Sequence, residues 1–477
     1  MGVKTRVQYI ESLKTAKPDV YIAGEYVQNV VNNPFFRTSI NHLGMGYDWA
    51  NMAENESELT FHSPLIEEKV SFWTHLRQST AELKQMVETI KRFSAQHVCT
   101  MCMGIGLCVI WATTYEIDQD KGTEYHKRFK NFYKKIQKDD LRFALGVMDP
   151  KGDRSLSPSQ QEDPDMYLRI VKQLKDGIVV NGAKMHTTSA PCMHYFLATP
   201  CRVLSEKDKE YAVSFAVPID TDGITFITRP AAGPVKGKEF ESPVSSKIGF
   251  VECLSVFDNV FIPWENVFMC GEWNYTENLI KYFSSYVRMA KCTCVSARTD
   301  LITGIAALAA KSNGIEKASH VKHKLNDMII SSNIGWGCAL GSVYESRMHP
   351  SGIPIPDISI SNSGLYQTRL RFVEFLGTLQ ELAGGIVTTM PIENEYVNEK
   401  TKPLMEKYLK GKEGVSVEDR IKIMYLIQEF TASNFSGYLM SSAICAGGTP
   451  ETNRVEVFRN YDLKEMVKYA KALCNID

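Results

Sequence analysis

The chain of 477 residues has almost no net charge: 54 Lys and Arg stand against 55 Asp and Glu, leaving −1. That balance gives no field to draw in nucleic acid or an anionic membrane, so a polyanionic ligand must be met by a local basic cluster. No run approaches the roughly 18 consecutive apolar residues that cross a bilayer, and Met1-Gly-Val-Lys-Thr-Arg6 lacks the apolar core of a secretion signal. A cytoplasmic protein is expected. Glycine-rich strand-to-helix turns of the dinucleotide or phosphate-loop type are missing too, so neither a nicotinamide nor an ATP grip is expected. Internal repeats and low-complexity tracts are likewise lacking.

What the chain does have is cysteine, twelve in all, scattered along its length instead of packed into a short scaffold. In a reducing compartment such thiols stay free, bind metal or react. Cys192, Cys201, Cys253, Cys338 and Cys474 stand singly and are expected in the core. Two groups stand apart, Cys99/Cys102/Cys108 and Cys292/Cys294. Cys99 and Cys102 lie three apart, a spacing that puts both thiolates on one helical face. Cys292 and Cys294 would point about 200° apart around a regular helix.

Apolar positions such as Leu65, Val70, Phe72, Leu76, Leu83 and Met86 recur at helical spacing over residues 64–141. This predicts an N-terminal helical domain, 1–141. From 142 the texture changes to loops rich in Pro, Gly, Ser and Asp (149–164 and 229–247), which separate short β-type runs at 211–217, 223–228 and 248–257. A central antiparallel β domain, 142–275, follows. Helical period returns over 276–310, 316–345, 362–390, 416–445 and 455–474, which predicts a C-terminal bundle, 276–477. Periodicity alone defines α+β with the two kinds of structure segregated along the chain.

Several segments carry more than periodicity: Thr113-Thr-Tyr-Glu-Ile-Asp-Gln119, Met148-Asp-Pro-Lys-Gly-Asp-Arg154, Asp176-Gly177, Gly182-Ala-Lys184, Phe257-Asp-Asn-Val-Phe-Ile-Pro263, Ala306-Ala-Leu-Ala-Ala310, Lys317-Ala-Ser-His-Val-Lys322 and Ala383-Gly-Gly385. In order and content the chain resembles the 4-hydroxyphenylacetate 3-hydroxylase superfamily, and within it the 4-hydroxybutyryl-CoA dehydratase branch. The resemblance implies an acyl-CoA dehydrogenase-like fold, bound FAD, a homotetramer with flavin at a subunit boundary, and a small-molecule substrate such as an acyl-CoA. It carries Lys151, Arg154, His186, Thr187, Thr188, Ala383, Gly384, Gly385 and Thr388 over as flavin contacts. The residue types suit flavin binding, since they supply a turn with cations and free amides, hydroxyl donors beyond a strand, and paired glycines that let a ligand approach the backbone.

The same branch holds a [4Fe-4S] cluster on three Cys and one His. Here the resemblance points to Cys99, Cys102 and Cys294 as metal ligands, whereas the His position falls on Val287. A catalytic Tyr, Lys and Glu of that branch fall on Lys291, Val295 and Ser442, while Glu252 keeps a family carboxylate. The candidate catalytic residues are therefore Glu252 as base and Lys291 as a cation in place of the Tyr. The expected reaction is FAD-dependent chemistry at the Cα–Cβ region of a short acyl-CoA, as dehydratase, isomerase, dehydrogenase or reductase. The alternative is a two-component aromatic hydroxylase supplied with reduced FAD by a reductase. The basic run Lys317–Lys324 is the local cluster that could meet a diphosphate from a neighbouring subunit.

Overall fold

A computed structural model describes residues 3–96, 104–230 and 239–476. The architecture is α+β: helices dominate the N-terminal part, strands the centre, and a helical bundle the C-terminal part. Two sheets form the centre. The larger has six strands in the order Glu25–Tyr26, Asp19–Ile22, Ile224–Pro230, Val251–Pro263, Gly177–Lys184 and Arg169–Gln173. The smaller has four, in the order Val267–Cys270, Val213–Pro218, Tyr195–Ala198 and Phe143–Gly146. Phe196 and Phe215 of the smaller sheet meet Phe257 of the larger with ring centroids 5.2 and 5.9 Å apart, so the two layers share an aromatic core.

Most strand pairs are antiparallel, but Asp19–Ile22 runs parallel to Ile224–Pro230, and Phe143–Gly146 parallel to Tyr195–Ala198. The N-terminal region thus supplies the two outermost strands on one side of the larger sheet, Glu25–Tyr26 at the edge and Asp19–Ile22 inside it. It also holds a hairpin, Thr60–Ser63 with Glu68–Ser71, whose second strand falls inside the stretch 64–141 where the spacing predicts helix. Pro64 opens the turn and Glu67 takes a left-handed backbone (φ 54°), so the chain reverses there. Val70, Phe72 and Leu76 are buried all the same.

The quoted motifs have local physical reasons. Gly182 has φ +115°, and a Cβ there would sit 2.3 Å from the Tyr167 carbonyl, so no other residue fits. In Phe257–Pro263 the pairing register shifts between Phe257 and Val260, with Asn259 left-handed at the bulge and its N–H donating to Asn181 Oδ1 at 2.7 Å. Within Thr113–Gln119, Glu116 accepts hydrogen bonds from Tyr282 (2.5 Å) and Asn278 (3.1 Å) and lies 3.2 Å from His349 Nε2, which fastens the N-terminal helix Ile105–Lys121 to the bundle.

In the bundle, Thr276–Ser312, Ser319–Tyr344 and Ile358–Ala383 are the long helices. The first of these, the central helix, has the length and average apolarity of a membrane span, but its side chains are mostly packed inside the protein. Helical period predicted over 416–445 is broken between Thr431 and Asn434, where Ser433 caps the next helix, Asn434–Cys445. Pro450–Arg459 and Leu463–Cys474 close the chain. Cys474 is exposed on that last helix and not in the core.

Candidate active site

Alternation along Val251–Pro263 sends Val251, Cys253, Ser255 and Phe257 into the buried face of the sheet, which turns Glu252 the other way. On that side the sheet meets the helix Asn434–Cys445 and the turn that follows Gly177–Lys184. Thr188, in this turn, places its hydroxyl 3.0 Å from each carboxyl oxygen of Glu252, and Tyr438 of the helix hydrogen-bonds the same group. Burial raises the Glu252 carboxyl to about 7, against the opposing pull of Thr188 and Tyr438. Phe250, next to it, packs at a tilt between His42 (4.3 Å) and Tyr438 (5.4 Å), so N-terminal helix, sheet and bundle converge on this carboxyl.

The turn itself is tightly built. His186 and Ser189 both adopt left-handed backbones (φ 57° and 54°), and the Ser189 N–H donates to the Val251 carbonyl at 2.7 Å. Thr187 is fully buried; its hydroxyl lies 2.7 Å from Ser255 Oγ and 3.1 Å from the Cys253 carbonyl. Its role is to fix the turn, which leaves Thr188 and the exposed His186 as the groups a ligand can reach. Burial and then the nearby charge of Lys151 hold the His186 imidazole below its ordinary value, and the Met185 N–H donates to the Met148 carbonyl at 2.7 Å, which joins the two segments.

Lys151 and Arg154 are exposed. Their loop is anchored by its first residue: Asp149 Oδ1 pairs with Lys184 Nζ at 2.5 Å, both side chains being almost wholly buried. Lys184 also donates to the carbonyls of Val147 (3.0 Å) and Thr199 (2.9 Å), while the Cys201 thiol donates to the other Asp149 oxygen at 2.9 Å. Cys201 is therefore a ligand of a buried carboxylate as well as a core thiol. Two motifs far apart in sequence, Met148–Arg154 and Gly182–Lys184, meet in this ion pair.

Ala383 ends the long helix Ile358–Ala383, with Gly384 and Gly385 in the turn that follows. Ala383 is buried, but Gly384 and Gly385 are exposed with φ +71° and +73°, and a Cβ on either would meet nothing within 4 Å. Thr388 is exposed and closes the turn through the Gly385 carbonyl (3.0 Å). No described hydrogen bond joins this segment to Glu252 within one chain. The open glycine backbone, the exposed cations Lys151 and Arg154, and the donors Thr188 and His186 suit the edges and diphosphate of a flavin.

Lys291 Nζ donates to Ser442 Oγ at 3.0 Å, so two of the positions where the sequence departs from the dehydratase branch touch one another. Cys292 and Cys294 face opposite ways, as the 200° separation requires: the Cys292 thiol donates to the Gly335 carbonyl at 3.1 Å, whereas Cys294 Sγ lies 3.7 Å from Ser94 Oγ, near the end of the helix Thr80–Gln96. Cys99 and Cys102 lie outside the described residues. Among the described residues no group of three His, Cys, Asp or Glu is gathered for a metal. Tyr438 was not singled out in the sequence, and only its i, i+4 relation to Ser442 could have pointed to it; Asp149 lies inside the Met148–Arg154 motif, but its buried pairing with Lys184 was not foreseen.

A helical–β–helical enzyme with a carboxyl at the sheet–bundle junction, raised to about 7 by burial, is the class that this geometry defines. Residues 5–269 match the family described as 4-hydroxyphenylacetate 3-hydroxylase N terminal, and 276–475 its C-terminal counterpart; the chain belongs to this family of flavin-dependent enzymes. It is 33% identical, over 99% of both chains, to 4-hydroxybutyryl-CoA dehydratase/vinylacetyl-CoA-Delta-isomerase of Clostridium aminobutyricum. It is 26% identical to the oxygenase component of 4-hydroxyphenylacetate 3-monooxygenase of Thermus thermophilus, over 91% of this chain and 89% of that one. The solved oxygen-tolerant archaeal 4-hydroxybutyryl-CoA dehydratase of N. maritimus superposes with a TM-score of 0.94 at 31% identity, covering 100% of this chain and 95% of that one. An FAD complex of the oxygenase component shares the fold, with a TM-score of 0.89 at 23% identity over 98% of each chain.

Proposed function

We propose that the protein is an FAD-dependent enzyme acting on the Cα–Cβ region of a short acyl-CoA thioester, with Glu252 as the group that removes or returns the proton. The observation that carries this reading is the Glu252 carboxyl, buried, held by Thr188 and Tyr438, and poised at about 7. A carboxyl at that value is present in both protonation states near neutrality, which suits it to exchange the α-hydrogen that a thioester acidifies. FAD, when bound, supplies the electron transfer. Lys151, Arg154, His186, Thr188, Gly384, Gly385 and Thr388 would hold it, with Thr187 and Ala383 shaping their turns. The glycine turn lies on another element from Glu252, which supports a flavin held between subunits of a homotetramer, with the exposed Lys317–Lys324 run as a candidate for the neighbour's diphosphate. Exposed Ile329, Ile330 and Ile334 on one bundle helix, and Leu463, Val467 and Leu473 on the last, are apolar surface that such an assembly would cover. The reading includes a cytoplasmic location. Cys294, with Cys99 and Cys102, remains the proposed ligand set for a [4Fe-4S] cluster, and no step is routed through it.

The test is purification without air, followed by the visible spectrum, an FAD titration and an iron and sulfide assay. Flavin bands, or tight uptake of added FAD, are expected; a colourless protein that refuses FAD overturns the reading. Iron that is lost in Cys99→Ala would assign the cluster.

Thr188→Val probes the carboxyl directly. Its hydroxyl favours the ionised form of Glu252 against burial, so its loss is expected to move the pH midpoint of α-hydrogen exchange upward. Mass spectrometry of butyryl-CoA incubated with the enzyme in D2O, across a pH series, reads that midpoint; an unmoved profile would remove Glu252 from the exchange.

A further inference from the structure

Cys292 and Cys294 leave the central helix on opposite sides. Cys292 faces the helix Ser319–Tyr344, where its thiol donates to the Gly335 carbonyl at 3.1 Å. Cys338 follows Gly335 by three residues on that helix, so it stands about one turn on and on the same face. The two thiols meet over Gly364 of the helix Ile358–Ala383: a Cβ built there would lie 2.8 Å from Cys292 Sγ, 3.0 Å from Cys338 Sγ and 2.3 Å from Cys338 Cβ. The sulfurs are therefore within about 6 Å of one another. Any residue larger than glycine at 364 would push them aside.

The helices that carry them are themselves in close contact. One turn on from Cys292, Ser296 Oγ donates to the Ser332 carbonyl at 2.7 Å and lies 3.0 Å from Ser332 Oγ. A Cβ at Gly335 would stand 3.3 Å from Ser296 Cβ. Backbones that meet on Ser and Gly bring facing residues toward the roughly 4–7 Å between Cα atoms that a disulfide spans.

The surroundings of the two thiols fix an order of reaction. Cys292 is fully buried, and burial, then the neighbouring Cys338, hold its thiol well above the ordinary value against the pull of Arg369. Cys338 is half-buried, and burial raises its thiol as well. Both are protonated at neutral pH. An oxidant from solvent meets Cys338 first, and Cys292 stands behind it as the thiol that resolves the oxidised sulfur.

We propose that Cys292 and Cys338 are a peroxide-responsive dithiol whose disulfide ties the central helix to its neighbour and holds the bundle against unfolding. The oxidant is hydrogen peroxide. Cys338 sulfur bonds one peroxide oxygen, the O–O bond breaks and water leaves, which gives a sulfenic acid. Cys292 sulfur then bonds Cys338 sulfur, the S–O bond breaks, and a second water leaves with the Cys292 proton. Two thiols have lost two hydrogens and one peroxide has become two waters. The cysteines belong to consecutive helices, so the bridge closes the chain between them and restricts the unfolded state.

The test uses the full-length protein as purified, reduced with dithiothreitol, freed of it and exposed to hydrogen peroxide. Remaining thiols are alkylated in denaturant, and the unreduced tryptic digest is read by mass spectrometry. The expected product joins peptides 292–298 and 325–347 with the loss of two hydrogens, and fragment ions place the bond on Cys292 and not on Cys294. Its formation should quicken roughly ten-fold from pH 7 to pH 8, because the attacking species is a thiolate and burial holds the thiol above its ordinary value. The oxidised protein should melt at a higher temperature than the reduced one, and dithiothreitol should reverse the gain. Cys338→Ser, a small change at a half-buried position, should fold, form no bridge and gain nothing on oxidation. Both cysteines recovered alkylated, a bridge to Cys294, or a bridge that leaves the melting temperature unmoved would each overturn the proposal.

Discussion

Glu252→Gln is expected to slow α-hydrogen exchange of a bound acyl-CoA by about 10²- to 10⁴-fold, the usual contribution of a positioned general base, while making the folded protein more stable above neutral pH. Both effects come from one carboxyl. Burial lifts it from the ordinary 4.5 to about 7 in the folded protein. Between those values the native state holds a proton that the unfolded chain releases, so stability is fully present below about 4.5 and is lost as the pH climbs through 7. The loss amounts to roughly 3 kcal/mol, taking about 1.4 kcal/mol per pH unit. Glutamine keeps an acceptor for the Thr188 hydroxyl and carries no charge, so it removes the penalty together with the base. Urea melts at pH 5 and pH 8 for both proteins, set beside exchange measured in D2O, check the pair of effects. Parallel pH slopes in the two proteins would show that Glu252 is not the buried titrating group, and unchanged exchange would show that it is not the base.

The long helices were legible in the sequence because a period of 3.6 sustained over many residues leaves few alternatives. Thr276–Ser312 and Ser319–Tyr344 begin and end within a few residues of their predicted bounds. The 60–71 hairpin was not, because the spacing of Val70, Phe72 and Leu76 serves a helix face about as well as a strand followed by a buried loop. What decided between them was Glu67 reversing the chain, a local backbone choice that hydrophobic pattern does not record. In the site, Glu252 could be singled out by resemblance and its orientation by strand alternation. Its environment could not, since Thr188 lies 64 residues and Tyr438 still further along the chain. The opposite facing of Cys292 and Cys294 followed from helix geometry alone. The resemblance put Lys291 and Ser442 at positions of one catalytic site, but their direct hydrogen bond across 151 residues of sequence was not foreseen.

Lys184→Met is expected to be the most destabilising single change at the site, at about 3–5 kcal/mol, the cost of stripping one member from a buried ion pair. Its ammonium meets Asp149 at 2.5 Å and two backbone carbonyls, Val147 and Thr199, at 3.0 and 2.9 Å, which uses all three of its donors in a place with almost no water. Methionine fills a similar volume, so the loss would be electrostatic and not a cavity. It would leave the Asp149 carboxylate buried with the Cys201 thiol and the more distant charge of Arg202, and release two carbonyls from their donor. The consequence extends beyond stability. Asp149 begins the loop that presents Lys151 and Arg154, and Lys184 ends the strand that leads into His186–Thr188, so the pair sets the distance between the two segments proposed to hold the flavin. Asp149→Asn, which keeps an oxygen acceptor for Lys184 and removes the buried negative charge, should cost less than Lys184→Met. Denaturant melts rank the two, and FAD titration of each at a temperature where it remains folded separates stability from cofactor binding. Weaker FAD affinity in folded Lys184→Met would tie the ion pair to the cofactor site; unaltered affinity with reduced stability would confine it to the scaffold.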